Sequence, residues 1–487
     1  ISHDRGYISD QKYTEAIESP LSRKENIEKP GTASYFAEYI RRELEKIDED
    51  LGINLYKDGL IIHTTLDMEI QQIAEAAFQK GIDHNQSVLN SEFLKDPEKF
   101  KFALAQSGSL ITPDSVRKIL KSDSLVIPVE LRNQFLVQGA AVILDPANGH
   151  ILAMIGGRNE DIYADHFNRS VQAVRQPGSV FKPFIYLTAL ENHYKPTTQL
   201  MNQPILVCLD AACKDKWNPA NHDGSTGGLT TLRDGLRRSL NLISVRIVQE
   251  LVTPRQVKET ARAFGISTKL DAVEAIALGS SGVIPLQITA AYADISDNGI
   301  YNSPIGITRI EDRYGRVIKE FSPDSREVKD ESVIFLLRDM MRSVVDAGTG
   351  QSIRWKYKFY APAAGKTGTT NSKADAWFVG FTSQIAMGVW VGMDDPAISL
   401  GKKQYGSQAA LPIWARAMKA IYDAKEIQPA DWSRPDGIVE VDICKDSYEK
   451  VSQWCPRDSR TKEIYLSNAQ PTKICPIHSN PFTRFKD

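Results

Sequence analysis

The sequence predicts an α/β fold of the α+β kind, an antiparallel sheet with helices packed on it. Three observations point there. AAVILDPANGHILAMIGG (140–157) is a pair of apolar runs joined by Asp145-Pro146-Ala147-Asn148-Gly149, a strong hairpin signal. After it the apolar spacing turns helical around 179–192, 230–250, 254–265 and 284–297. Three more short apolar runs, GKTGTTN, DAWFVGF and IAMGVWVG, then crowd into 365–393, followed by the helical SQAALPIWARAMKAIYDAK. A strand pair, a block of helices, three strands and a closing helix fit one sheet covered by helices.

The elements before this core read in order as follows. Residues 1–31 are polar and proline-marked (ESPLSRKENIEKPG) and suggest the tail of a preceding element running into a linker. From Thr32 the spacing of Phe36, Ile40, Leu44, Ile47 and Leu51 predicts one amphipathic helix. GLIIHTTLD reads as a strand and MEIQQIAEAAFQKGI as a second helix. Residues 83–135 are charged and broken by Pro97, Pro113 and Pro128, and read as irregular. The organisation expected is therefore 1–31, a connecting region 32–138, a main domain 139–425 and a C-terminal strand-and-loop extension 426–487 that carries cysteines.

At 487 residues the chain can bury a large core, and its 42% apolar and 25% charged content is that of an ordinary globular protein. A net charge of −2 gives no electrostatic case for nucleic acid or for an anionic membrane surface. No apolar run approaches the roughly 18 residues of a membrane span, no signal peptide is visible, and the first residue is Ile1. The expectation is a piece of a longer protein whose targeting segment lies elsewhere. Of the five cysteines, Cys208 and Cys213 sit close together; Cys444, Cys455 and Cys475 lie near the end, with His478 at C-x-x-H spacing. Separations of 11 and 20 residues are not those of a compact zinc knuckle, so disulfides in an oxidising compartment, with one thiol left over, are the favoured reading and no metal is assigned.

The chemistry is carried by three short motifs. Ser-x-x-Lys alone is uninformative, since it occurs at Ser9, Ser115, Ser179, Ser399, Ser447 and Ser459. Context singles out Ser179. Arg175-Gln176-Pro177-Gly178 forces a turn, and Pro183 is tolerated in a helix only in its first turn, so the helix must begin near Ser179. That puts the hydroxyl at the positive end of the helix dipole with Lys182 one turn on. A serine is a poor nucleophile until a base takes its proton, and a lysine can be that base only if burial or a second cation destabilises its ammonium. Lys366 is the candidate second cation.

Lys366-Thr367-Gly368 occurs once and opens a strand. Its glycine admits a backbone to the strand edge, Thr367 can hydrogen-bond a carboxylate and Lys366 supplies the counter-charge. The backbone amides of Ser179 and Thr369 are the candidate oxyanion hole. A phosphate loop is discarded, because the glycine-rich lead is missing. For the third motif there are two spellings. Ser296-Asp297-Asn298 sits at a helix stop and reads as a decoy; Ser239-Leu240-Asn241, between GLTTLRDGLRR and apolar LISVRIV, is taken as functional.

This trio, with RQPGSVFKPF, WNPAN, ALGSSGVIPLQITAAYADISDNG, GKTGTTN and DAWFVGF, closely resembles the transpeptidase domain of class A penicillin-binding proteins over about 139–425. KDGLIIHTTLDMEIQQIAEAA resembles that family's connector, and 1–30 resembles the last helix of its glycosyltransferase domain. The resemblance implies a penicillin-binding, serine β-lactamase-like fold, a five-stranded antiparallel sheet with helices on both sides. It implies a protein anchored in the bacterial inner membrane and facing outward, acting on peptidoglycan stem peptides that end in D-Ala-D-Ala and acylated by β-lactams, with no cofactor. Other cell-wall synthesis proteins are possible partners. Under it Ser179 is the nucleophile, Lys182 its base, Ser239 the proton relay and Asn241 the group that orients Lys182, while Lys366, Thr367, Gly368 and Thr369 bind substrate. The rivals use the same residues: a β-lactamase or D,D-carboxypeptidase passing the acyl group to water, or a β-lactam sensor. A Ser-His-Asp hydrolase carries little weight, since no Gly-x-Ser-x-Gly elbow exists and His222-Asp223 reads as loop polarity.

Overall fold

The computed structural model describes residues 33–122, 127–158, 167–208, 212–370 and 372–478. Everything described belongs to the unit Ala33–Asp487, and the expected tail of a preceding domain at 1–31 lies outside the described residues.

The two predicted strand groups meet in one sheet. β1 (Gln138–Leu144) and β2 (Ile151–Ile155) form the hairpin, and β3 (Ala364–Thr369), β4 (Asp375–Phe381) and β5 (Ala386–Gly392) the meander. The order is β3-β4-β5-β1-β2, antiparallel throughout. Residues β1 and β5 are almost wholly buried, so both faces of the sheet must be covered. The alternation of side chains sorts them into two cores. Ala140, Val142, Trp377, Val379 and Trp390 face a cluster with Phe184, Tyr292 and Leu337, from the helices Lys182–Glu191, Pro285–Ser296 and Glu331–Ala347. Ala141, Ile143, Ala376, Phe378 and Val389 face a second cluster with Phe78, Ile82 and Trp414, from the helices Met68–Lys95 and Leu411–Ala424.

Two readings of the connecting region change. The helix that starts at Met68 does not stop near residue 82 but runs 28 residues to Lys95, and Pro97–Ser107 and Pro113–Lys121 are helices as well. The stretch 83–135, expected to be irregular, is therefore largely helical in its described part. The prolines that suggested breaks stand at helix starts, where the missing amide costs nothing: Asp96 and Thr112 cap the helices that Pro97 and Pro113 open. The single amphipathic helix expected from Thr32 is divided into Ser34–Leu44 and a short turn, Asp48–Leu51. The strand Ile61–Thr64 pairs with Ile307–Glu311, so the connector is stitched into the main domain.

The C-terminal extension is a hairpin, Ile438–Cys444 with Arg460–Leu466, whose Ile438 and Ile464 join the first core. Arg233 clamps it, donating to Glu463 at 2.8 Å and pairing with Asp339 at 2.7 Å. Cys208 and Cys213 form a disulfide. Cys444, Cys455 and Cys475 do not pair; all three are buried thiols gathered in one cluster. The expectation of further disulfides with one thiol over is corrected here: the hairpin brings the three together, which separation along the chain could not reveal.

Candidate active site

The turn that carries Ser179 is built before the serine itself. Arg175 bridges Val283 through paired backbone hydrogen bonds of 2.9 and 2.8 Å. The Trp377 indole donates to the Gln176 carbonyl at 2.9 Å, and Tyr292 donates its hydroxyl to the Val180 carbonyl at 2.6 Å. Gly178 has φ +53°, and a Cβ there would lie 2.7 Å from the Thr369 carbonyl oxygen, so glycine is needed both for the backbone and for contact with β3. The 3₁₀ turn Gly178–Phe181 then feeds the helix Lys182–Glu191 with Pro183 in its first turn, as the motif required.

Lys182 points inward and is fully buried. Its Nζ donates to the Ser239 carbonyl at 2.8 Å and to Asn241 Oδ1 at 2.9 Å. Ser239 stands where the helix Leu232–Arg237 ends and Asn241–Arg246 begins, at φ +60°. A non-glycine residue held there costs roughly 1–2 kcal/mol, and what the strain achieves is orientation: the carbonyl meets one lysine and the hydroxyl the other. Lys366 Nζ donates to Ser239 Oγ at 2.8 Å and to the Thr367 carbonyl at 3.2 Å. The Asn241 amide is fixed from its other side, donating to the Ala220 carbonyl of WNPAN at 2.9 Å.

Both lysines are depressed. Burial, and secondarily the nearby Lys366 charge, pushes the Lys182 ammonium well below the usual lysine range. Burial brings Lys366 down to about 7. Their hydrogen bonds go to neutral oxygens, and among the described residues no carboxylate pairs with either ammonium. Lys366 can therefore hold and release a proton near neutrality, and Lys182 can stand neutral and accept one, as a solvated lysine cannot.

Ser179, Ser239, Asn241, Thr367 and Thr369 line one cavity of about 250 Å³. Three stretches remote in sequence thus converge on it. β3 is an edge strand of the sheet, so its outer side is open to pairing with an extended peptide. Gly368 has a packing reason beside the one expected. A Cβ there would meet the Pro177 carbonyl at 2.5 Å and Val180 Cγ2 at 2.7 Å, so the glycine seats the serine turn of this chain against β3. Ser296, the decoy, does not line the cavity; it is buried and donates to the Thr382 carbonyl at 2.7 Å.

Sequence reasoning missed part of the wall. His222 and Asp223, read as loop polarity, face the cavity with Arg238, Leu278, Thr349, Tyr405 and Ser407. Thr349 Oγ1 lies 2.8 Å from Thr367 Oγ1, so a second hydroxyl stands beside the KTG threonine. His222 packs edge-on against Tyr405, with ring centroids 4.5 Å apart. The signal that could have found His222 was its place directly after WNPAN, whose Ala220 carbonyl and Asn221 side chain brace Asn241 and the Leu242 amide. Thr349 carried no local signal.

A serine backed by two buried lysines at the open edge of a sheet defines an active-site-serine acyltransferase. Residues 139–419 match the penicillin-binding protein transpeptidase domain, and 434–480 match the penicillin-binding protein 1A C-terminal domain. The chain belongs to the penicillin-binding protein transpeptidase family, whose members are serine acyltransferases of peptidoglycan synthesis. Penicillin-binding protein 1A of Aquifex aeolicus is 34% identical over 97% of this chain and 67% of that protein. The Rickettsia typhi protein of the same name is 31% identical over 89% of this chain and 63% of its own length. The chain thus spans about two thirds of these relatives. Among solved structures, penicillin-binding protein 1A from Haemophilus influenzae superposes with a TM-score of 0.73 at 23% identity, covering 97% of this chain and 81% of that one. PonA1 from Mycobacterium tuberculosis in complex with penicillin V gives 0.59 at 23% identity, covering 82% of this chain and 95% of that one. Among the described residues no helix is long and apolar enough to cross a membrane.

Proposed function

We propose that this chain cross-links peptidoglycan stem peptides through an acyl-enzyme on Ser179. The observation that carries the reading is Ser239, bonded to Lys182 through its carbonyl and to Lys366 through its hydroxyl, on the cavity that Ser179 also lines. Neutral Lys182 takes the Ser179 proton, and Oγ attacks the carbonyl of the penultimate D-Ala. The amides of Ser179 and Thr369 receive the oxyanion, a contribution of about 2.7–4 kcal/mol per donor in comparable sites. Ser239 gives its hydroxyl proton to the leaving amine and is resupplied by Lys366, which already donates to it. Terminal D-Ala departs, and an amine of a neighbouring stem peptide enters by the reverse sequence.

Lys366, Thr367 and Thr349 receive the substrate carboxylate. Binding an anion raises the depressed Lys366 ammonium, so the charge is created where it is used. A β-lactam presents the same carboxylate and a strained amide and acylates Ser179; that the structurally similar PonA1 was solved in complex with penicillin V supports β-lactam binding. Similarity to the longer penicillin-binding protein 1A relatives supports a full-length protein that also carries a glycosyltransferase domain and an inner-membrane anchor, with this part on the periplasmic side. Mass spectrometry after incubation with benzylpenicillin should find one adduct, on the peptide containing Ser179, and none in the S179A variant. An adduct on another residue, or none on folded protein, overturns the assignment.

A further inference from the structure

The C-terminal hairpin holds a group of side chains that acyl transfer does not use. Cys444 ends one strand, Cys455 lies in the loop before the other, and Cys475 and His478 lie in the segment that follows. One ligating atom from each falls within 4.8 Å of all the others. All three cysteines are buried, and His478 is half-buried. The histidine is turned with Nδ1 toward the sulfurs, 3.4 Å from Cys444 Sγ and 3.5 Å from Cys475 Sγ. Its other nitrogen, Nε2, lies 3.6 Å from Asp446 Oδ2.

The geometry points to a structural zinc site formed by Cys444, Cys455, Cys475 and His478. Tetrahedral zinc with Zn–S bonds of ~2.3 Å sets sulfurs ~3.8 Å apart, so this cluster needs only a small contraction. Three soft thiolates and an imidazole select zinc over the oxygen-loving cations. Four protein ligands leave no open position, which makes the site a staple and not a catalytic centre. Asp446, 3.6 Å from Nε2, is placed to become the outer carboxylate as the cluster contracts, accepting from Nε2–H and leaving Nδ1 free to bind metal. Backbone amides already aim at the sulfurs: Ser452 N donates to Cys455 Sγ at 3.3 Å and His478 N to Cys475 Sγ at 3.5 Å. Such bonds favour the thiolate form. On binding, the three thiols release their protons to solvent, and Zn²⁺ with three thiolates and a neutral imidazole carries a net charge of −1.

The physical need is plain. Among the described residues the one partly buried apolar side chain packed on the cysteines is Val451, so the described part of the segment after Arg460–Leu466 has little hydrophobic core of its own. A metal ties that segment to the hairpin, which Arg233 and Ile464 in turn hold on the main domain. This reading does not depend on the catalytic one.

The test uses the intact chain. Elemental analysis of protein purified without chelator should give about one zinc per chain, and Co²⁺ exchanged into the site should show thiolate-to-cobalt charge-transfer absorption. Cys475→Ser should abolish both. Asp446→Ala should keep the stoichiometry but weaken zinc about 10- to 100-fold in competition with a chromophoric chelator. Should C475S fail to fold, stripping zinc from the parent with a chelator and returning Zn²⁺ alone supplies the same readout, with tryptic cleavage after Lys473 rising on removal and falling on return. A disulfide between two of the three cysteines in the purified parent, a stoichiometric metal other than zinc, or failure to take up added Zn²⁺ would overturn the proposal.

Discussion

Replacing Asn241 by Asp tests the base directly, because it changes one atom of the side chain. Asn241 Oδ1 accepts from Lys182 Nζ at 2.9 Å, and Lys182 is fully buried. An ordinary lysine at 10.5 would be neutral in about one molecule in 3,000 at pH 7, a handicap of about 5 kcal/mol. The parent escapes it through burial and the Lys366 charge. A carboxylate at 2.9 Å would restore it. At an effective dielectric of about 20 the new attraction is about 6 kcal/mol, or about 4 pKa units. Asn241 is only half-buried, so water reduces this to about 2–4 units. Second-order acylation of N241D by a fluorescent penicillin, followed by stopped flow, should therefore fall at pH 7, by at most about 10,000-fold. The loss should shrink as pH rises above 7, by at most about tenfold per pH unit. N241A, which removes the amide and adds no charge, should lose activity with a parent-like pH profile. If N241D matches N241A at every pH, Lys182 does not take the proton and the assignment fails.

Two further expectations follow from the same geometry. Lys366 falls to about 7 in the folded chain against an ordinary 10.5, so between those values the unfolded chain binds more protons and stability rises with pH. Removing the amine in K366M should make the protein more stable at pH 7 by up to about 5 kcal/mol, less about 1 kcal/mol for each hydrogen bond lost, with the gain shrinking toward pH 10.5. Urea melts at pH 7 and 9.5 measure this, and a variant less stable than the parent at both values contradicts it. Ser239, at φ +60°, should tolerate glycine better than alanine: S239G should exceed S239A by up to about 1 kcal/mol in thermal melts. Both variants should lose acylation together; equal stabilities would show that the backbone there stores no strain.

The chemistry was legible in the sequence because it is written in short contiguous runs. Pro177-Gly178 before Ser179 and Pro183 after it leave the chain one local conformation, and Lys182 follows from helical geometry. The sheet was legible for a related reason: short continuous apolar runs bounded by turns at Asp145–Gly149 and around Ser383 read as buried strands. What failed was what depends on neighbours far along the chain. The prolines of 83–135 gave the same signal whether they broke helices or opened them, and only Asp96 and Thr112 as caps decided it. Thr349 joins the substrate wall because the chain after Glu331–Ala347 turns back onto Thr367, a contact across 18 residues with no motif. The packing need for Gly368 was also hidden, because the neighbour that demands it is Pro177, nearly two hundred residues upstream.

The sequence by itself determined which groups could do chemistry: one serine at a forced helix start, two lysines, a serine–asparagine pair and a cationic strand. Tertiary structure alone decided that both lysines are buried, and so able to stand neutral and accept a proton, since the fold strips the water from each ammonium and, for Lys182, sets a second cation beside it. The same holds for Cys444, Cys455, Cys475 and His478. Their separations along the chain argued against a shared site, and a hairpin that folds back on itself made those separations irrelevant.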